Sequence, residues 1–256
     1  PFVRRAILPS LLRRVEHNFA HGNRDVRLFE IATSFRKAGT GEPPREETHL
    51  AVVMTGRREP SHWSRQDEFI AVWDLKALLE TVARISYAGA AEVTVEADVV
   101  APFHEGTGFA VMDRTDLSVG HGGLVLSSEI DAPVWAGDIW GFEITLPSNP
   151  LRLPTPEHVP LPTFPAIERD LALVVPIDHT AAEIDLLIRN SGGALLESLE
   201  MFDLYFDPEN DSGVRSLAFR LRFRSADRTL KDKEVDRSVD LILHRLKEEL
   251  DVEPRG

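Results

Sequence analysis

The sequence predicts an α+β protein of two domains with antiparallel sheets. Short apolar stretches with strand periodicity alternate with a few amphipathic helices, and a proline-rich stretch divides the chain. Its 256 residues fit two domains of ordinary size. We place these domains at residues 1–147 and 164–256. Residues 148–163 are the expected linker, because recurring prolines deprive a helix or central strand of backbone donors.

The first half is predicted to be a mixed module. Its first helix has one apolar face and ends before Gly22; the face consists of Leu8, Leu11, Leu12, Val15 and Phe19. A second helix is predicted at 69–85, with Ile70, Trp73, Ala77, Leu78 and Val82 on its inner side. Strands are predicted at 26–35, 49–55, 93–97, 108–112, 123–127 and 139–146. Because the connections are short, we expect antiparallel pairing.

The second half predicts the order β-α-β-β-α, with a last short strand missing or frayed near Val252. A strand at 171–175 precedes a helix that begins with a capping box of Thr180 and Glu183. Strands at 195–206 and 214–224 follow, and Thr229 with Asp232 is expected to cap a long final helix. This is the ferredoxin-like split arrangement, in which both helices cover one sheet face and the other face stays open.

Strand parity predicts which side chains lie on this open face. In the strand at 214–224, Leu217, Phe219, Leu221 and Phe223 alternate with polar residues, so the polar set points away from the helices. If Phe202, Leu204 and Phe206 also point inward, the open face holds Asp203, Tyr205, Ser216, Arg220, Arg222 and Arg224. Six basic residues and one acid between Ser212 and Lys231 add local positive charge.

These side chains suit single-stranded RNA. A tyrosine ring stacks on an unpaired base, a carboxylate accepts two donors from the Watson–Crick edge of guanine, and arginines neutralise phosphates. The alternative from the pattern alone is a solvated strand face with arginines for solubility.

Composition and motifs exclude several other classes. A net charge of −13 argues against binding nucleic acid by bulk charge, and the absence of cysteine rules out disulfides and Cys-ligated metals. No apolar run has membrane-spanning length, and the start at Pro1 is interpreted as a fragment or processed product. His17 and His21 lack a third metal ligand, and Gly120–Gly123 is interpreted as a hairpin turn. No spacing singles out a catalytic or metal site.

Four sequence blocks of the second half resemble the anticodon-binding, ferredoxin-like domain of the bacterial phenylalanyl-tRNA synthetase β subunit. They are Phe164-Pro165-Ala166 with Arg169-Asp170-Leu171, the segment 199–205, the segment 216–221, and Arg228-Thr229-Leu230 with Val235. In the first half, the segments 8–12, 23–25, 28–31 and 74–76 resemble the module before that domain. The chain thus looks like the C-terminal third of such a subunit.

The resemblance implies a class II synthetase-like, inactive first module and a partner α subunit in an (αβ)2 assembly. It implies ATP and Mg2+ for the holoenzyme, none of them for this chain, and a cytoplasmic location with no membrane contact. It implies that Tyr205, Asp203 and Ser216 bind the first anticodon base of tRNA(Phe). The segments 28–31 and 140–144 lack the arginines that class II sites use for ATP. The helix face at Leu8–Phe19 is either core or subunit interface, and we expect it to contact α.

Two other functions remain open. Ferredoxin-like domains also serve as amino-acid-binding regulatory modules, and the first half could be a self-contained ATP-using enzyme.

Overall fold

The computed structural model describes residues 4–96, 101–149, 151–153, 155, 158, 160–206 and 213–255. The end of the strand predicted at 93–97, the prolines at 150, 154 and 156 and most of the turn before Val214 lie outside these residues. The chain divides into two compact units, 1–156 and 157–256. Within the described ranges, no helix is long and apolar enough to cross a membrane.

Unit 1 is one six-stranded antiparallel sheet with two helices. The elements are α1 Leu8–Ala20, β1 Val26–Arg36, β2 Arg45–Thr55, α2 Val72–Ser86, β3 Glu92–Glu96, β4 Gly108–Met112, β5 Ser118–Leu124 and β6 Ile139–Thr145. The strand order is β1-β2-β6-β5-β4-β3, so β1 and β3 form the two edges. The predicted α+β class and antiparallel pairing are confirmed.

The apolar face of α1 belongs to the core of unit 1. Its five side chains, Leu8, Leu11, Leu12, Val15 and Phe19, are at most 5% exposed and pack with Val26, Ala51 and Val53. The predicted subunit interface at these five residues is therefore wrong, because side chains buried within their own chain have no surface left for a partner. Periodicity predicted the face correctly but could not show what covers it.

Two further details of unit 1 differ from the prediction. Gly120–Gly123 lies inside β5 and not in a turn. The glycines are explained by close packing, since a Cβ on Gly122 would lie 2.7 Å from the Cβ of Phe142. Helix α2 begins at Val72 and buries Leu75, Leu79 and Ala83, so Trp73 lies on its outer side, 66% exposed.

Unit 2 is a ferredoxin-like domain, as predicted. Its elements are β7 Ile167–Pro176, α3 Ala181–Gly192, β8 Leu196–Tyr205, β9 Val214–Phe223, α4 Asp232–Leu250 and β10 Glu253–Pro254. The antiparallel sheet has the order β10-β7-β9-β8, so the short last strand exists and pairs with β7. Apolar side chains of α3 and α4, including Ile184, Ile188 and Ile242, pack against one face of the sheet.

Capping follows the prediction at one helix and departs from it at the other. The Thr180 hydroxyl accepts from the backbone N–H of Glu183, whose carboxylate accepts from the N–H of Thr180. At α4, the predicted box of Thr229 with Asp232 is wrong: Glu234 accepts from the N–H of Lys231 instead. Hydrogen bonds from the Arg228 guanidinium, aided by this backbone bond, lower the pKa of Glu234 to about 2.

Candidate nucleic-acid interface

The face of the second sheet opposite α3 and α4, called the open face below, presents the polar side chains of β9. Leu217, Phe219, Leu221 and Phe223 are buried against the helices, while Ser216, Ala218, Arg220 and Arg222 alternate with them. This alternation is the one expected of a strand with one covered face. The parity predicted for β9 is thus the parity that the structure has.

Asp203 and Tyr205 lie on the open face together with Ser216. Asp203 pairs in register with Ala218, and Tyr205 pairs with Ser216. Directly opposite residues share a face of a sheet, so the carboxylate, the ring and the hydroxyl of these predicted residues lie together. Asp203 is exposed and Tyr205 is 53% exposed, so both are accessible on this unit.

Two bulges in β8 set this arrangement. The register of β8 against β9 shifts between Leu196 and Ser198 and again between Met201 and Asp203, leaving Glu197 and Phe202 without a direct partner. The expectation that Phe202 points inward is wrong: its ring lies 4.9 Å from the Cζ of Arg220, a residue of the open face. Two adjacent apolar residues, Met201 and Phe202, break the alternation and were the sequence signal for this bulge.

The arginines of the open face are paired with carboxylates of the same sheet. Arg220 donates from Nε and Nη2 to the two oxygens of Asp170, at 2.9 and 2.8 Å. These hydrogen bonds raise the pKa of Arg220 and lower that of Asp170. Arg222 forms an ion pair of 3.0 Å with the bulge residue Glu197. These guanidinium groups are therefore already neutralised by the protein.

Arg224 is the least accessible of the predicted arginines. Its side chain is only 14% exposed, forms an ion pair of 2.9 Å with Glu197 and donates to the carbonyl of Phe164 at 2.9 Å. The acids that pair with these arginines were missed. Glu168 and Asp170 alternate with Ile167 and Leu171 in the sequence, but the strand was predicted to begin only at 171.

A residue near the end of the chain also reaches the open face. The Cζ of Arg255 lies 5.4 Å from the centroid of the Tyr205 ring. Its backbone N–H donates to the carbonyl of Ala172, which continues the pairing of β10 with β7. Arg255 has no carboxylate partner among the described residues. Its guanidinium is therefore available to a ligand beside Tyr205.

In unit 1, the two segments compared with class II ATP sites carry glutamates that have partners within the protein. Glu30 forms an ion pair of 2.6 Å with Arg4, and Glu143 accepts from the N–H groups of Ile7 and Leu8 at the start of α1. Glu143 also bonds the Nδ1 of buried His49 at 2.7 Å. Burial acts to raise the pKa of Glu143, but these hydrogen bonds outweigh it and hold the pKa below its usual value.

A cavity of about 460 Å³ adjoins Glu143 and His49. Of its charged lining residues, Arg36 pairs with Glu47 and His49 pairs with Glu143. In the part of the chain that the structure describes, no three acidic or histidine side chains cluster in a way that could hold a metal ion.

Comparisons with known proteins agree with this geometry. The family model for the ferredoxin-fold anticodon binding domain matches residues 162–255. The model for the phenylalanyl tRNA synthetase beta chain CLM domain matches residues 1–146, more than half of the chain.

Curated relatives match along the whole chain. The phenylalanine–tRNA ligase beta subunit of Syntrophotalea carbinolica is 32% identical over 99% of this chain and 31% of its own length. The corresponding subunit of Salinibacter ruber is 30% identical over 96% and 31%. Among solved structures, a pyrrolysyl tRNA synthetase from Desulfitobacterium hafniense covers 56% of this chain and 46% of its own, at 21% identity and a TM-score of 0.38, from which no shared fold follows.

A four-stranded antiparallel sheet with aromatic rings on an uncovered face is an arrangement that β-sheet domains use to bind single-stranded RNA. With both family models matching in chain order, the chain belongs to the phenylalanyl-tRNA synthetase beta chain family. It spans about a third of the length of the curated relatives it matches.

Proposed function

We propose that this chain is part of the β subunit of a phenylalanine–tRNA ligase and that its second unit binds the anticodon of tRNA(Phe). The register that places Asp203 opposite Ala218 and Tyr205 opposite Ser216 carries the proposal. An unpaired base stacked on the Tyr205 ring would present its Watson–Crick edge beside the Asp203 carboxylate. Guanine is the base that offers this carboxylate two adjacent donors.

Binding of a labelled anticodon stem-loop, followed by fluorescence anisotropy, tests this proposal. Tyr205→Leu and Asp203→Ala should each weaken binding by about 1–3 kcal/mol, because they remove stacking and a paired hydrogen bond. Tyr205→Phe keeps the ring and should bind nearly as well as the wild type. Asp240→Ala, on the exposed side of α4, is the matched control. Unchanged affinity in both Tyr205→Leu and Asp203→Ala would show that the open face is not the RNA site.

We further propose that unit 1 contacts the catalytic α subunit through β1 within an (αβ)2 assembly. Strand β1 is an 11-residue edge strand, and Phe29 and Ile31 on one of its faces are 72% and 54% exposed. A long edge strand with exposed apolar side chains offers unpaired backbone groups and an apolar surface to another chain. This surface replaces the buried α1 face as the expected interface.

Co-purification with the α subunit tests this second proposal. Phe29→Asp or Ile31→Asp should abolish or strongly reduce the recovered complex, because a buried charge opposes association. Val95→Asp is the matched control, since Val95 is 69% exposed on the opposite edge strand, β3. If both β1 variants recover as much α subunit as the wild type, the interface lies elsewhere.

Activation of phenylalanine with ATP and Mg2+ belongs, in this proposal, to the α subunit. At the two strands where class II sites carry arginines, this chain has Glu30 and Glu143, whose charges would repel a triphosphate and already have partners. These residues do not fit ATP. ATP–pyrophosphate exchange by this chain alone should be at background level, and measurable exchange would contradict a non-catalytic role.

A further inference from the structure

The second bulge of β8 places an additional aromatic ring on the open face. Residues 202 and 205 are three apart, so in an unbroken strand they would point to opposite faces. The register passes from Met201 opposite Phe219 directly to Asp203 opposite Ala218, so Phe202 is the extra residue. Its contact with Arg220 and its 47% exposure place the ring on the same side as Tyr205.

Arg220 holds this ring from one side. Its guanidinium is fixed by two hydrogen bonds to Asp170 and lies 4.9 Å from the ring of Phe202, within the range of a cation–π contact. The guanidinium thus positions the ring, and almost half of the side chain remains exposed. A base could therefore stack on the exposed part of the ring while Arg220 holds the ring in place.

The neighbouring charges favour a base over a phosphate at this ring. Glu200 pairs in register with Arg220, and Asp170 pairs with it from the other side. Because Arg220 and Asp170 compensate each other, Glu200 leaves a net negative charge at this position, which would repel a phosphate placed at Phe202 but not the face of a neutral base. Stacking on an aromatic ring is also tolerant of base identity, because every base has a π face.

The spacing suits two bases that are splayed apart. Three residues of a strand span about 10 Å, whereas stacked bases of one strand lie about 3.4 Å apart. Two rings at this separation cannot serve two stacked neighbours but can serve unstacked ones, which is how single-stranded RNA is bound on sheets.

We propose that Phe202, supported by Arg220, is a second base-stacking site, which binds a nucleotide next to the one that stacks on Tyr205. This proposal rests on the proposed anticodon binding and adds a subsite to it. The open face would then bind two unpaired nucleotides, one on each ring, with Asp203 between the rings in sequence.

The test compares variants of the whole chain in anisotropy titrations with the anticodon stem-loop. Phe202→Leu should weaken RNA binding roughly 5- to 150-fold, the range expected for losing one stacked base. Phe202→Trp keeps an aromatic ring and should bind the RNA about as tightly as the wild type. Phe206→Leu is the matched control, because Phe206 directly follows β8 and is 50% exposed, about as much as Phe202. Thermal unfolding of each variant reports any loss of stability.

Abasic substitutions in the RNA separate stacking from an indirect structural effect. With the base removed on one side of the Tyr205-bound nucleotide, wild type and Phe202→Leu should bind equally, because there is no base left to stack on Phe202. If Phe202→Leu weakens all RNAs by the same factor, or none, the second site is refuted. If Tyr205→Leu also leaves affinity unchanged, the anticodon proposal itself fails.

Discussion

The pairing of arginines with carboxylates predicts a weak salt dependence of RNA binding by the open face. Each phosphate contact with single-stranded RNA contributes about −0.7 to the slope of log K against log salt concentration. Free guanidinium groups on Arg220, Arg222 and Arg224 would therefore give a slope of about −2.1. In the structure these three arginines face three carboxylates, those of Asp170, Glu168 and Glu197, whereas Arg255, which also reaches the open face, has no carboxylate partner among the described residues.

One available guanidinium predicts a slope of about −0.7. A fourfold rise in salt, from about 50 to 200 mM, should then weaken binding only about threefold, whereas three free arginines would give a loss of about 20-fold. The net charge of −13 makes the slope shallower still, because salt also screens the repulsion between the chain and the RNA. The assay is anisotropy with a short single-stranded anticodon-loop oligonucleotide, which carries no stem phosphates.

Three variants of the open face assign the slope to residues. Arg255→Ala should bring the slope close to zero, and Arg222→Ala should leave it unchanged. Asp170→Asn removes the charge that neutralises Arg220 and should steepen the slope by about 0.7. A wild-type slope of −2 or steeper would refute the argument, because it would mean that RNA phosphates displace the carboxylates from the arginines.

Two further predictions concern unit 1. Glu143→Gln should lower the free energy of urea unfolding by about 1–3 kcal/mol relative to exposed Glu105→Gln, because it weakens the hydrogen bonds to the start of α1 and to His49. Since the pKa of Glu143 is lowered on folding, this stabilisation is present at neutral pH and is lost as the pH falls through the folded-state pKa. The difference in unfolding free energy between wild type and Glu143→Gln should therefore shrink in acid. A difference that does not change with pH would contradict the assignment. Gly122→Ala should cost about 1–3 kcal/mol, because its Cβ would clash with Phe142, whereas Gly137→Ala has open space and should be neutral by thermal unfolding; equal stability of the two would show that β5 and β6 do not pack this closely.

The sequence was sufficient to place most of the open face because β9 is regular. Four apolar residues at every second position fix its parity, and the covered face then follows from the need to bury them. The assignment of Asp203 and Tyr205 also holds, since the ladder is regular from Asp203 to Tyr205. Phe202 was placed wrongly because parity assumes an unbroken strand, and a bulge reverses it locally.

The sequence pattern could not predict which residues the charged and apolar side chains contact. A row of arginines has the same pattern whether it faces solvent, RNA or carboxylates on the next strand, and the ion pairs depend on the register of β7 against β9. The face of α1 likewise satisfies helical periodicity whether its cover is the sheet or another chain. Gly120–Gly123 resembles a turn by composition, and only close packing against β6 explains why these glycines lie in a strand.

The two bulges of β8 together suggest how an acidic chain could carry the proposed RNA-binding face. The first brings Glu197 onto Arg222 and Arg224, and the second brings Phe202 onto Arg220. The first supplies a carboxylate that offsets positive charge on the face, and the second adds an exposed ring. Affinity on such a surface must come from stacking and base-edge hydrogen bonds, which depend on unpaired bases, and not from phosphates, which every RNA offers. If the proposed function holds, a face of this composition should discriminate a splayed anticodon loop from duplex RNA by the type of contact it can make.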